Sequence, residues 1–195
     1  ACADAILHKK DGFVVASGSL PRGAPVDSYV RLARAAALNG LPFVLDTSGA
    51  ALKAALEHGG IHLVKPSQSE LESYAGHELD GAGIEATAKA IIARGQARMV
   101  AATLGADGAV LATPDKLLRL PAMKVEVRSA VGAGDSFLGA MVWALSEDWD
   151  IEQAFLLGMA AGAAATSNPG TSLCRREDVF GLFRTAGGKI PAARA

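Results

Sequence analysis

The sequence predicts an α/β fold in which a mainly parallel sheet carries helices on both faces. Short, largely apolar runs, namely Phe13-Val14-Val15-Ala16, Phe43-Val44-Leu45 and Ile61-His62-Leu63-Val64, alternate with segments of helical periodicity. A polar loop bearing Gly, Pro or Ser separates each run from the helix that follows it. At 195 residues, half of them hydrophobic, the chain is also long enough to bury the core of one globular domain over 1–195.

The first unit runs from the Phe13 strand through Ser17-Gly18-Ser19-Leu20-Pro21-Arg22-Gly23 into a helix over Val26 to Asn39, closed by Gly40. The second passes from Phe43 through Asp46-Thr47-Ser48-Gly49 into a helix from Ala50 to His58. The third joins Ile61 through Lys65-Pro66-Ser67-Gln68 to a short helix from Ser69 to about Ala75. A helix over Ile84 to Arg94 then leads to a strand at Met99-Val100-Ala101-Ala102. The loop Thr103-Leu104-Gly105-Ala106-Asp107-Gly108 and a strand over Ala109 to Ala112 follow, read as an antiparallel hairpin.

Val125 and Val127 form a β-branched run, expected to be a strand that turns at Val131-Gly132-Ala133-Gly134-Asp135-Ser136 into a helix marked by Phe137, Met141, Val142 and Leu145. Two further helices are expected, Ile151 to about Ser167 and Arg175 to about Ala186, joined by Asn168-Pro169-Gly170-Thr171-Ser172. The tail from Gly187 to Ala195 reads as loosely ordered. In this arrangement the polar and Gly-rich loops gather at the carboxyl ends of the strands, where open α/β sheets bind ligands.

Composition narrows the partners. A formal net charge of −1, from 19 basic and 20 acidic residues, gives no basic surplus for nucleic acid or an anionic membrane. Small molecules are therefore expected. The two cysteines, Cys2 and Cys174, lack metal or redox spacing and suit a reducing cytoplasm. The longest low-polarity run, Phe155 to Ala165, is too short to span a bilayer, and no signal segment opens the chain.

The most informative stretch is Val131 to Phe137. The first turn of a helix offers unpaired N–H groups and the positive end of the macrodipole, and Gly132 and Gly134 let an anion come close to the backbone. Asp135 stands beside that site, where a carboxylate can accept a proton from a hydroxyl attacking a phosphoryl group. The same residues also suit an ordinary turn, since Asp is favoured in a first helical turn for capping and dipole reasons alone.

Four blocks resemble the ribokinase-like, or PfkB-type, carbohydrate kinases, and within them the minor bacterial 6-phosphofructokinases: Ser17 to Gly23, Lys65-Pro66-Ser67-Gln68-Ser69-Glu70, Thr103 to Gly108, and Val131 to Ser136. Their order and spacing match across essentially the entire chain. The resemblance implies a ribokinase-like, Rossmann-like sheet and ATP-dependent phosphorylation of a phosphosugar hydroxyl. Fructose 6-phosphate, giving fructose 1,6-bisphosphate, or fructose 1-phosphate is the implied acceptor.

It implies Asp135 as the general base and the amides of Gly132, Ala133 and Gly134 as the anion hole. Lys65, Ser67, Thr103, Gly105, Gly108, Met159 and Ala163 would contact the nucleotide, with Ser67 standing where the family usually carries Asn. Ser19 and Arg22 would face the phosphosugar. Glu70 would hold Mg2+ through water. Ser129, Val131, Ala165, Asn168, Gly170 and Ser172 would surround a monovalent cation, K+ in kind. On chemistry alone several of these residues also suit bland roles: Glu70 as a solvated helix carboxylate, Lys65 as a solvated cation, Met159 and Ala163 as core packing.

The chain opens without Met and reaches a strand almost at once, so it reads as the later part of a longer protein, truncated at the N-terminus and lacking the first strands and the β-lid of the family. An isolated piece of that kind is expected to transfer phosphate poorly and, with a sheet edge exposed, to form a homodimer. The rival expectation is a nucleotide-binding or assembly module without turnover. His8, His58, His62 and His77 are scattered and carry no assigned role, and no P-loop motif is present.

Overall fold

The computed structural model describes residues 2–170, 172 and 174–191. It contains two compact units, Ala1–Leu104 with Val110–Arg119, and Gly105–Ala109 with Leu120–Ala195.

The first unit begins with helix α1 (Cys2–Leu7) and then alternates β1 (Val14–Ser17), α2 (Ser28–Leu38), β2 (Phe43–Asp46), α3 (Gly49–His58) and β3 (Ile61–Val64). It continues through α4 (Gln68–Ala75), α5 (Gly81–Ala93), β4 (Ala97–Thr103), β5 (Ala109–Ala112) and β6 (Leu117–Leu120). One six-stranded sheet results, in the order β1-β2-β3-β4-β5-β6. The first four strands are parallel, with Ala16 opposite Leu45, Leu45 opposite Val64, and Val64 opposite Val100.

Only a 3-10 turn, Gly105–Asp107, and its flanking residues separate β4 from β5. A connection that short permits only antiparallel pairing, because a parallel return needs a crossover of about a dozen residues. The expected hairpin is therefore present.

Both faces of the central strands are covered. Phe43, Leu45, Val64, Val100 and Val110 belong to a core shared with Leu52, Leu56 and Ile91 of the helices. Their sheet neighbours of opposite orientation, Val44, Leu63, Ala101 and Leu111, are buried as well. This is why the strands read as continuous apolar runs rather than alternating ones.

The helices of this unit start and stop on local chemistry. Asp80 caps α5 by accepting a bond from Gly83 N at 2.7 Å. Gly76 ends α4 in the left-handed conformation, which glycine adopts at least cost.

The second unit packs α6 (Ala133–Ser146) against α7 (Ile151–Thr166), and α7 against α8 (Arg176–Thr185). The α6/α7 contact is set by missing side chains. A Cβ on Gly158 would stand 2.9 Å from the Phe137 carbonyl oxygen, and one on Gly162 would stand 3.2 Å from the Ala133 carbonyl oxygen. Phe137 and Phe155 close the same contact edge to face, 5.8 Å apart.

Two expectations need correction, and two elements carry no clear sequence signal. Val125 and Val127 form no strand: the chain between β6 and α6 is irregular, Val127 is exposed, and Arg128 N and Ser129 N donate instead to the Thr166 carbonyl. Pro121, immediately after β6, has no N–H to extend a ladder, so pairing stops there despite the β-branched pattern. Strand β6 gives little sequence signal, because Arg119 interrupts the apolar run of Leu117, Leu118 and Leu120 and none of the four is fully buried.

Helix α1 gives equally little sequence signal. It has no buried residue and is tied down from outside, with Asn39 Nδ2 donating to the Ile6 and Lys9 carbonyls at 2.9 and 3.0 Å. The tail is bound through Lys189, whose N–H donates to Gln153 Oε1 at 2.7 Å, while the remainder of the expected loose stretch, 192–195, lies outside the described residues. Among the described residues no helix is long and apolar enough to cross a membrane.

Two stability predictions follow from these packing facts. Gly158→Ala is expected to lower Tm despite alanine's better helix propensity, whereas Gly139→Ala on the open side of α6 should gain about 0.5–1 kcal/mol. Thermal denaturation of the two variants reads the contrast.

The second concerns His62, which stacks edge to face with Phe13. Burial, and then the Arg98 charge, hold its pKa below the ordinary value. The unfolded chain therefore takes up the proton first as pH falls below about 6.5, and stability drops through that range. Denaturant midpoints across the range should fall less steeply in His62→Gln.

Candidate functional site

In the second unit the chemistry centres on the start of α6. Gly132 is its N-cap, at φ 78° and ψ 0°, a left-handed conformation that side-chain-bearing residues rarely adopt. The first intrahelical bond runs from Ser136 N to the Gly132 carbonyl at 2.9 Å, so Gly134 N and Asp135 N lie in the first turn ahead of any intrahelical acceptor. Among the described residues no side chain caps this helix. The turn is thus shaped to receive an anion, and Asp135 stands exposed beside it as the acidic residue of the first turn.

The loop before α6 is anchored on the far end of α7. Arg128 N and Ser129 N both donate to the Thr166 carbonyl, at 2.8 and 3.1 Å, and Ser129 Oγ accepts from Val131 N at 3.2 Å. Asn168 N donates to the Ala165 carbonyl at 3.2 Å, and Asn168 Nδ2 to the Ala164 carbonyl at 3.3 Å. Ser129 and Val131 are therefore held beside a helix C-terminus, whose carbonyls carry partial negative charge. Gly170, at φ 60°, and Ser172, whose N–H donates to the Pro169 carbonyl, continue the turn. Met159 is buried and Ala163 half-buried on α7.

In the first unit the sequence-selected residues gather at the carboxyl ends of the strands. The loop after β1 is pinned at Gly18, whose carbonyl accepts from Tyr29 Oη at 2.7 Å and Thr47 Oγ1 at 2.9 Å. Ser19 and Arg22 stand exposed on that loop. Thr103 N donates to the Pro66 carbonyl at 2.9 Å, and a β-bridge joins Ser67 to Thr103, so the ends of β3 and β4 meet at Ser67.

Ser67 and Glu70 form a capping box on α4. Ser67 Oγ accepts from Glu70 N at 3.3 Å, and Ser67 N donates to Glu70 Oε2 at 2.7 Å. Both residues are thereby fixed by the helix they start. Among the described residues no group of three or more His, Cys, Asp and Glu converges. A carboxylate offers about four lone-pair positions and the box uses one, so Glu70 suits a hydrated hard cation held through one carboxylate and water.

The ion pair at the strand ends was missed from sequence. Lys65 Nζ lies 3.2 Å from Asp46 Oδ1, with only 6% and 15% of the two side chains exposed. Ser17 Oγ reaches Asp46 Oδ2 at 3.5 Å, a long contact. The signal was present but needed the register: Leu45 pairs with Val64, so the next residues on the two parallel strands, Asp46 and Lys65, emerge side by side. Gly108, expected at the nucleotide loop, has a second reason to be glycine. A Cβ there would overlap the Leu120 carbonyl oxygen at 2.0 Å.

Comparison with known proteins gives a consistent result. The family model described as "pfkB family carbohydrate kinase" matches residues 3–178. The chain is 38% identical over 180 residues to the ATP-dependent 6-phosphofructokinase isozyme 2 of Escherichia coli strain K12, covering 91% of this chain and 58% of that protein. It is 41% identical over 177 residues to the isozyme 2 of Mycobacterium tuberculosis strain CDC 1551, covering 89% and 51% respectively. The crystal structure of Phosphofructokinase-2 from Escherichia coli in complex with potassium superposes with a TM-score of 0.90 at 36% identity, over 95% of this chain and 60% of that one. The chain therefore spans between half and two thirds of the length of these relatives. The αL glycine ahead of an uncapped helix, the acidic residue in its first turn and the parallel sheet agree with these matches, and the chain belongs to the pfkB family of carbohydrate kinases.

Proposed function

We propose that the chain carries ATP-dependent kinase chemistry directed at a phosphosugar hydroxyl. Fructose 6-phosphate, converted to fructose 1,6-bisphosphate, is the leading acceptor and fructose 1-phosphate the alternative. The observation that carries this reading is the left-handed Gly132 at an uncapped helix start with Asp135 in the first turn. Family membership and the names of the two relatives support it.

ATP supplies the transferable phosphoryl group when bound, with Mg2+ and a monovalent cation such as K+ balancing its charge. The amides of Gly132, Ala133 and Gly134 stabilise developing negative charge in a turn that is already formed, Ala133 N first giving up its long 3.4 Å bond to the Ala130 carbonyl. Asp135 accepts the proton of the attacking hydroxyl. A weak base suffices, since transfer is loose and the electrostatic clamp supplies most of the rate.

In the first unit, Ser19 and Arg22 are assigned to the phosphosugar, Ser67 and Thr103 to the nucleotide, and Glu70 to the hydrated Mg2+. Gly105 and Gly108 form the nucleotide loop, with Met159 and Ala163 on the adenine side. Ser129, Val131, Ala165, Asn168, Gly170 and Ser172 are assigned to the monovalent cation; potassium in the Escherichia coli Phosphofructokinase-2 structure supports a cation site in this family. Lys65 is assigned to nucleotide phosphate. Because Asp46 already neutralises it, Lys65 offers a fixed dipole rather than a free charge. A cytoplasmic homodimer fits the reading, since β1 is an edge strand with Val15 exposed.

A phosphofructokinase assay run beside an ATP titration tests the proposal. Asp135→Ala is expected to lower kcat by roughly 10²–10⁴-fold with ATP affinity nearly unchanged. A variant that keeps near wild-type turnover removes the general-base assignment, and ATP binding without any turnover in the parent protein favours the nucleotide-binding module instead.

The buried pair gives a separate measurement. Lys65→Met or Asp46→Leu alone is expected to cost about 3–5 kcal/mol in urea unfolding, because each strands a buried charge. The double variant should recover most of that stability but not the activity; recovery of both would make the pair purely structural.

A further inference from the structure

At the opposite end of α6 the second unit contains a cavity of roughly 370 Å³, within the range of small-molecule sites. Its wall is aromatic: both tryptophans of the chain and Phe180 line it, with Phe183 buried behind them. Trp143 and Trp149 meet edge to face at 5.5 Å, Phe180 stands 6.4 Å from Trp143, and Phe183 lies 5.7 Å from Trp149. Trp149 is 9% exposed but Trp143 is 45% exposed, so one indole is left to face an occupant.

The polar groups come from one stripe of α8. Arg176, Phe180 and Arg184 recur every fourth residue and therefore share a face. The Arg176 guanidinium lies 5.4 Å from the Phe180 ring centroid, already a planar cation against a π-face. Neither Arg176 nor Arg184 forms an ion pair with a carboxylate among the described residues. Glu177 also lines the cavity, leaving its charged lining with one net positive charge.

An apolar ligand would leave the two guanidinia without a counter-charge. A small inorganic anion would leave the exposed indole without a stacking partner. We propose that this cavity binds a planar aromatic anion of nucleoside-monophosphate size, its ring against Trp143 and its phosphate toward Arg184. Trp143 lies eight residues beyond Asp135, about 12 Å along the helix axis, so this site is separate from the start of α6. The proposal stands independently of the kinase reading.

The chain carries its own reporter, because its only two tryptophans border this cavity. AMP is titrated into the protein while tryptophan emission is followed, with adenosine and ribose 5-phosphate as partial probes. Saturable quenching by AMP is expected, weaker quenching by adenosine and none by ribose 5-phosphate. Arg184→Ala, an exposed position whose loss should leave the circular dichroism spectrum unchanged, is expected to raise the AMP dissociation constant about tenfold.

Thr103→Val, at a residue assigned to the nucleotide, should leave the AMP titration unaltered, which separates this cavity from the proposed nucleotide site. Unsaturable quenching, an Arg184→Ala variant that binds AMP as the parent does, or loss of the signal in Thr103→Val would overturn the proposal. So would an emission change that depends on protein concentration alone, which would mean that a second copy of the chain covers the cavity.

Discussion

The geometry of the second unit depends on a backbone contact in which side chains are excluded. Gly158 and Gly162 let α7 run directly against the carbonyls of Phe137 and Ala133. Ala133 opens α6, so this approach fixes where the anion-receptive turn begins. The Thr166 carbonyl then takes two N–H groups from the loop that leads into that turn. A helix N-terminus and a helix C-terminus are thus braced together by atoms common to every residue, and the side chains of Ser129 and Asp135 need only be attached to that frame.

The first unit solves a different problem. Its strands are buried on both faces, so polar groups are confined to the strand ends, where each must find a partner. Asp46 and Lys65 satisfy each other, Gly18 is held by Tyr29 and Thr47, and Ser67 and Glu70 close on themselves. Such closure favours rigidity over charge. The residues assigned to phosphate and metal are therefore placed by bonds made within the protein, which costs them some freedom but fixes their position before any ligand arrives.

Much of the fold was legible because the parallel strands leave a continuous apolar signature and the loops between them carry Gly, Pro and Ser. Helix α7 and strand β5 were read to within a residue or so at each end. The errors came where a local pattern is decided elsewhere. Val125 and Val127 alternate like a strand, yet Pro121 ends the pairing and Thr166 captures the backbone. Helix α1 has no fully buried residue: Ile6 packs only in part against the core, and Asn39 ties the helix down.

The candidate site was legible in the same uneven way. Gly132 and Asp135 declare themselves through sequence spacing. The partnership of Asp46 with Lys65 is invisible until strand register is known, because eighteen residues, including α3 and β3, lie between them in the chain.

Gly108 carries a wider consequence. The Leu120 carbonyl leaves no volume for even a methyl group, so this position would be restricted to glycine in any chain that makes the same turn, whatever occupies the neighbouring loop. Recurrence of glycine here across related sequences would record a steric veto from within the polypeptide. It should not be counted as independent testimony that adenine or phosphate lies nearby.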